Sequence, residues 1–172
     1  MYMNLCRKEE MYCCEGDYWY RILDDLKTME PSESEIMGYE GKDSNVIIPE
    51  SLDGYPVTRI GEKAFYGNRV IRNVIMPDSM RVIGKQAFAE CAQLYNVRLN
   101  EKLNMIRANA FENCGELRRI LIPERTKVSG SAFFGCTDVE IFRWRIIGTF
   151  RNGKSMNIES WQEQFICKSS DG

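Results

Sequence analysis

The sequence predicts a repeat solenoid of β-rich α/β class: a stack of short coils around one shared core. Three observations predict it. An Ala-Phe pair returns every 22 or 23 residues, apolar columns keep step with it, and each unit ends in a strand-like alternation. A unit of that length is too short to bury its own apolar face, so it must stack on its neighbours.

The pairs Ala64-Phe65, Ala87-Phe88, Ala110-Phe111 and Ala132-Phe133 set the register, with spacings of 23, 23 and 22. Ahead of each stands Ile60, Ile83, Ile106 or Val128. Three residues after each Phe come Asn68, Cys91, Cys114 and Cys136, and six after come Ile71, Leu94, Leu117 and Val139. Nine after come Val74, Val97, Ile120 and Phe142, and eleven after come Met76, Leu99, Ile122 and Trp144. Pro77 and Pro123 close two units, while Asn100 and Arg145 take proline's place in the others. Segments such as Leu94 to Leu99 alternate like a strand with one buried face. Successive coils would pair these strands in parallel, about 4.8 Å apart. The Phe side chains would form an aromatic spine, with Ala permitting close approach.

The pattern I-G-x-x-A-F-x-x-C-x-x-L-x-x-V-x-I-P resembles the BspA-type leucine-rich repeat. Ile83-Gly84, Ala87-Phe88, Cys91, Leu94, Val97 and Leu99 carry it best, and Gly38 to Phe65 resembles that family's lead-in segment. The resemblance spans roughly residues 36–145. It implies a short, curved leucine-rich-repeat solenoid, a right-handed superhelix with parallel stacked strands. It also implies a bacterial protein whose relatives serve cell-surface adhesion and host-protein binding. Arg107 and Ser129 replace the glycines Gly61 and Gly84, and the fourth unit is one residue short. Both changes suggest degeneration toward a C-terminal cap.

Four segments are expected: an extension over 1–16, an N-terminal cap and first coil over 17–57, four repeats over 58–145, and a cap or tail over 146–172. In the N-terminal cap, Tyr18 to Leu23 and Glu35 to Tyr39 read as a capping hairpin with Pro31-Ser32-Glu33-Ser34 as its turn. A strand Asn45 to Pro49 follows, and an Asp53-Gly54 turn leads into Tyr55. Ile158, Trp161 and Phe165 fall at i, i+3 and i+7, so residues 157–167 read as a short amphipathic helix. Its two readings are a cover for the last coil or a docking element. Lys168 to Gly172 reads as disordered.

The chemistry available is restricted. The chain has no histidine, which removes the commonest general base and metal ligand. Seven cysteines include no CxxC pair, and their odd count with adjacent Cys13-Cys14 favours a reducing compartment. The Cys91, Cys114, Cys136 column has two readings, a packed core row or a redox or metal site. Buried free cysteine is a common core residue, so packing is the expectation. No Gly-rich phosphate loop or paired-carboxylate site stands out. The expectation is a protein that is not an enzyme and needs no cofactor.

Net charge is −2, which gives no global drive toward nucleic acid. It is unevenly spread. Residues 1–56 carry 13 acidic and 5 basic side chains, a net of −8, whereas residues 57–145 carry 9 acidic and 15 basic, a net of +6. That polarity is read either as a solubilising acidic end or as attraction between molecules. No segment is long and apolar enough to span a bilayer. The N-terminus lacks the apolar run of a secretory signal, which points to the cytoplasm; the family resemblance points to the cell surface or secretion.

What remains is surface. The outward strand columns are read as Ile47, Ile75, Arg98, Leu121, Arg143 and Asn45, Asn73, Asn96, Arg119, Ile141. From these, Asn73, Ile75, Asn96, Arg98, Arg119, Leu121 and Arg143 are the candidate face for a protein or peptide partner. Five rungs give a strip of roughly 240 Å², well short of the roughly 800 Å² per partner of a standard interface. Flanking loops, the ends or self-association would have to add area. The leading expectation is a non-enzymatic protein-binding module, with an intracellular scaffold or self-assembling protein as the alternative.

Overall fold

The computed structural model describes residues 12–137, 139–149 and 155–163. The chain opens with β1 (Cys13–Glu15), β2 (Tyr18–Asp24) and β3 (Pro31–Tyr39). These form an antiparallel meander in which Cys14 faces Trp19 and Ile22 faces Ser34. The hairpin matches the expectation but its turn does not. Pro31 to Ser34 lies inside β3, and the chain reverses at Asp25–Glu30 instead. There the Asp25 carboxylate accepts the N–H groups of Lys27 (2.8 Å) and Thr28 (3.0 Å). Pro31 is tolerated because it is the first residue of its strand.

From β4 (Asn45–Ile47) the chain coils. β5 (Ser51–Leu52) and the start of β6 (Tyr55–Ile60) form a tight hairpin. Asp53 and Gly54 both take positive φ, 50° and 81°, as a two-residue hairpin turn requires. Next come β7 (Asn73–Ile75), β8 (Val82–Ile83), β9 (Asn96–Arg98) and β10 (Met105–Ile106). They are followed by β11 (Arg119–Pro123), β12 (Lys127–Val128), β13 (Glu140–Thr149) and β14 (Ser155–Glu163).

Two parallel ladders run along the stack. One joins β3, β6, β8, β10 and β12 in register Ile36, Ile60, Ile83, Ile106, Val128, the first four fully buried. The other joins β4, β7 and β9 through Val46, Val74 and Val97, and β11 to β13 through Ile120 and Ile141. Among the described residues no strand pairing joins β9 to β11, so this second ladder is two sheets.

The Ala-Phe segment forms a third seam without being a strand. Residues two before Phe take left-handed φ at Lys63, Gln86 and Asn109, and residues two after do so at Gly67, Glu90, Asn113 and Gly135. This alternation turns every second N–H toward the next coil: Phe65 donates to the Ala87 carbonyl, Phe88 to Ala110 and Phe111 to Ala132, each at 2.8 Å. Left-handed φ is costly in a side-chain-bearing residue, so the inter-coil bonds must hold it in place.

Through the first three repeats the core is the set of columns read from the sequence; in the fourth, Phe142 and Trp144 are only half-buried and Ile141 is the buried residue. Phe65, Phe88, Phe111 and Phe133 stack with centroids 4.8, 5.5 and 5.4 Å apart and rings within 15° of parallel. Tyr39 and Tyr18 continue the pile at 5.2 and 5.1 Å. Gly84 sits where a Cβ would lie 2.5 Å from the Ile60 carbonyl oxygen. Its N–H donates to that oxygen at 2.8 Å, whereas Arg107 and Ser129, in the same place on later coils, donate at 3.0 Å.

At the C-terminal end the helix expected over 157–167 is absent from its described part. Residues 155–163 are the strand β14, antiparallel to β13, with Trp161 opposite Arg143 and Ile158 opposite Ile146. The open edge of β13 needed hydrogen-bond partners, and that demand outweighed a helical spacing of three side chains. Phe165, and the tail Lys168 to Gly172, lie outside the described residues, as do positions 1–11 of the expected N-terminal extension.

Candidate functional site

Along β4, β7, β9 and β11, alternate side chains point outward. In the outer column Ile47 is 69% exposed, Ile75 37% and Leu121 46%, with Arg98 exposed between them. The inner column holds Asn45, Asn73, Asn96 and Arg119. Asn73 Nδ2 donates to Asn45 Oδ1 at 2.6 Å, an amide link between adjacent coils.

The last rung departs from the expected columns. Arg119 pairs in register with Glu140, Ile120 with Ile141, Leu121 with Phe142 and Ile122 with Arg143. Beyond the residue lost ahead of Phe133, a second is missing between Val139 and Ile141, two apart where Leu117 and Ile120 are three apart. A one-residue slip exchanges the faces of a strand. So Ile141 is the buried core residue, 1% exposed, and Phe142 the outward one. Arg143, expected on the outward face, leaves it: its guanidinium donates to the Pro123 (3.3 Å) and Thr126 (2.9 Å) carbonyls.

The candidate residues therefore fall into groups. Asn73, Ile75, Asn96 and Arg98 share the β4–β7–β9 sheet, and Arg119 and Leu121 lie across the gap on β11. Arg119 forms a 3.1 Å ion pair with Glu140 and lies over the Phe142 ring, 5.0 Å from its centroid. Arg98 has no ion pair among the described residues. Phe142 and Glu140 belong to this face and were missed; the 22-residue spacing ends at Phe133, upstream of this second deletion, and the signal was the two-residue step from Val139 to Ile141.

The cysteine row is core. Cys91 and Cys114 are fully buried and Cys136 is 3% exposed. Their thiols donate to the carbonyls of Phe65 (3.0 Å), Phe88 (3.1 Å) and Phe111 (2.9 Å), each on the preceding coil. Burial pushes the Cys91 thiol up from 9.0 to about 12, and burial also raises that of Cys114. A thiol held protonated is a poor nucleophile and metal ligand. Among the described residues no group of three or more Asp, Glu or Cys side chains is placed to hold a metal ion. Nor is any helix there long and apolar enough to cross a membrane.

At the N-terminal end Tyr20, fully buried, donates its hydroxyl to Asp53 Oδ2 at 2.5 Å, and the Asp53 N–H donates to Glu15 Oε2 at 2.8 Å. Burial and then this bond raise the Tyr20 pKa. The link ties the meander to the β5–β6 turn; it is structural.

Stacked coils, a ring spine, a cysteine row and an exposed strand face define a leucine-rich-repeat solenoid. The chain belongs to the BspA type leucine rich repeat region family, whose model matches residues 42–145 in six copies. Solved structures agree. A leucine-rich repeat protein from Bacteroides capillosus is 31% identical, with 77% of this chain and 99% of that one covered and a TM-score of 0.65. The T. pallidum leucine rich repeat protein TpLRR is 26% identical, covering 73% and 68%, with a TM-score of 0.60. The pneumococcal vaccine antigen PcpA, at 16% identity with 78% of this chain and 31% of that one covered, shares the fold with a TM-score of 0.58. None of the curated proteins matches the chain.

Proposed function

We propose that the chain is a non-enzymatic binding module whose outer strand face takes a protein or peptide partner. The exposed row Ile47, Ile75, Arg98 and Leu121 carries this reading. Three aliphatic side chains stand in water, Ile47 and Ile75 on one sheet and Leu121 across the gap on β11, with the Arg98 guanidinium, which has no ion pair among the described residues, between them. Interfaces combine apolar contacts with arginine in this way. A host surface protein, engaged in adhesion, is the setting that the family favours. The strip is small, so binding on this face alone is weak.

Selection of displayed peptides on the immobilised protein tests this. Ile75→Asp with Leu121→Asp should abolish capture of the selected peptides, and Arg98→Glu should weaken it several-fold, with melting temperatures unchanged. Peptides that bind both variants as well as the parent would refute the face.

A second reading, an intracellular scaffold, is favoured by the cysteines: Cys14, Cys91 and Cys114 are free thiols. Cell fractionation separates the two readings, since adhesion requires the protein outside the cytoplasm.

A further inference from the structure

The turn between β2 and β3 is tightly built, yet it displays two large apolar side chains. Besides the two N–H bonds to the Asp25 carboxylate, the Met29 N–H donates to the Asp25 carbonyl and the Asp25 N–H to the Glu30 carbonyl, both at 2.8 Å. Met29 is held at φ 58°. On this frame Leu26 is 94% exposed and Met29 70%. Asp24, Asp25 and Glu30 outnumber the one basic residue of the turn, Lys27, so the tip is an apolar knob with a net acidic collar. A single exposed Leu is ordinary, but two large apolar residues fixed on one closed loop suggest a contact.

Near the other end of the stack lies a cavity of about 420 Å³. Three successive corners build it: Lys102, then Pro123 and Arg125, then Trp144. The corners are fixed. Glu124 donates its N–H to the Trp144 carbonyl at 2.7 Å, and buried Asn100 accepts the Lys102 N–H at 2.7 Å. Trp144 and Pro123 supply apolar wall. Arg145 is 3.5 Å from Glu124, while Lys102 and Arg125 have no ion pair among the described residues. Glu101 also lines the cavity, so the rim carries a small positive surplus.

Tip and cavity are complementary in both apolar character and charge sign. The tip leads into β3 as the corners lead into β10 and β12, on the same ladder. Along that ladder they are three to four rungs apart, roughly 14–19 Å, so one chain's tip does not fill its own cavity. The acidic first third and basic repeats give the whole molecule the same polarity.

We infer that the Leu26–Met29 tip of one copy seats in the Trp144 cavity of a second copy, so that molecules associate head to tail. The contact is heterologous, each copy offering one knob and one socket. It is independent of the strand-face reading, and Ile75→Asp should leave it intact. Its area is small, so it is weak and salt-sensitive.

Sedimentation equilibrium of the full chain tests this, over roughly 10 µM to 1 mM, the range in which small contacts populate. The weight-average mass should rise above the monomer's 20.0 kDa and fall back in high salt. Leu26→Asp and Trp144→Ala should each stay monomeric alone. Mixed one to one, they should form a heterodimer and stop there, because each keeps one working end. Arg125→Glu replaces Trp144→Ala in the mixture should the latter melt early. A parent monomeric throughout would assign the tip to some other partner and overturn the inference. So would either variant still self-associating, or a mixture that stays monomeric.

Discussion

A side chain's value to this protein depends on which side of its coil it occupies. Phe88 is fully buried between two parallel rings, so Phe88→Ala removes a large volume and two stacking contacts. It should cost about 3–5 kcal/mol. Arg98, in the next strand, points into water, and Arg98→Ala should change stability by no more than about 0.5 kcal/mol. Thermal melts of the two variants check the inside–outside assignment directly; the reverse ranking would contradict it. Cys91, Cys114 and Cys136 obey the same logic: small, apolar enough to bury, and able to give a weak hydrogen bond to the coil before.

At the scale of the element, the structure joins coils by three seams with different chemistry. The Ile36-to-Val128 ladder and the Ala-Phe seam run unbroken through the described coils, but the β4–β7–β9 sheet stops before β11. The consequence falls on particular amides. Ile48 donates its N–H to the Ile75 carbonyl and Met76 donates to Arg98, both at 3.0 Å. Leu99 occupies the equivalent place on the next coil and has no such backbone partner among the described residues. Its amide should exchange with solvent deuterium at least tenfold faster than those of Ile48 and Met76, as open backbone positions do. Amide-resolved exchange decides it, and equal protection of all three would close the gap.

For the whole molecule, stability is a sum over coils and the contacts between them. The buried thiols make that sum depend on pH. Cys91 titrates at about 12 when folded against 9.0 as a free group, so the folded chain keeps a proton that the unfolded chain loses. Its contribution is therefore whole below pH 9 and is lost as pH rises from there toward 12, by about 1.4 kcal/mol per pH unit. Cys114 adds in the same direction, as do Tyr18 and Tyr20, whose pKa values burial also raises. The melting temperature should fall steadily between pH 9 and 10.5, and Cys91→Ser with Cys114→Ser should flatten that fall. A melting curve indifferent to pH over this range would mean that the thiols are not sealed in the core.

The sequence alone determined the period, the stacked core and the inward columns of the first three repeats. Those depend on side-chain size and spacing, which recur along the chain and read directly as rows. It also displayed the N-terminal hairpin, because two alternating runs must pair. Tertiary structure decided what depends on a partner distant in the chain. Residues 155–163 became a strand because β13 had an open edge. Phe142 and Arg143 exchanged faces because Ile141 took the core seat beside Ile120. Tyr18 and Tyr39 joined the ring pile although their spacing from Phe65 breaks the repeat. The knob at Leu26–Met29 has no periodic signature, and the cavity's corners recur, as Lys102 and Arg125 do 23 residues apart, without the period saying that they enclose a space. They arise where the chain turns and where coils end, and there only the folded geometry says which side chains remain in water.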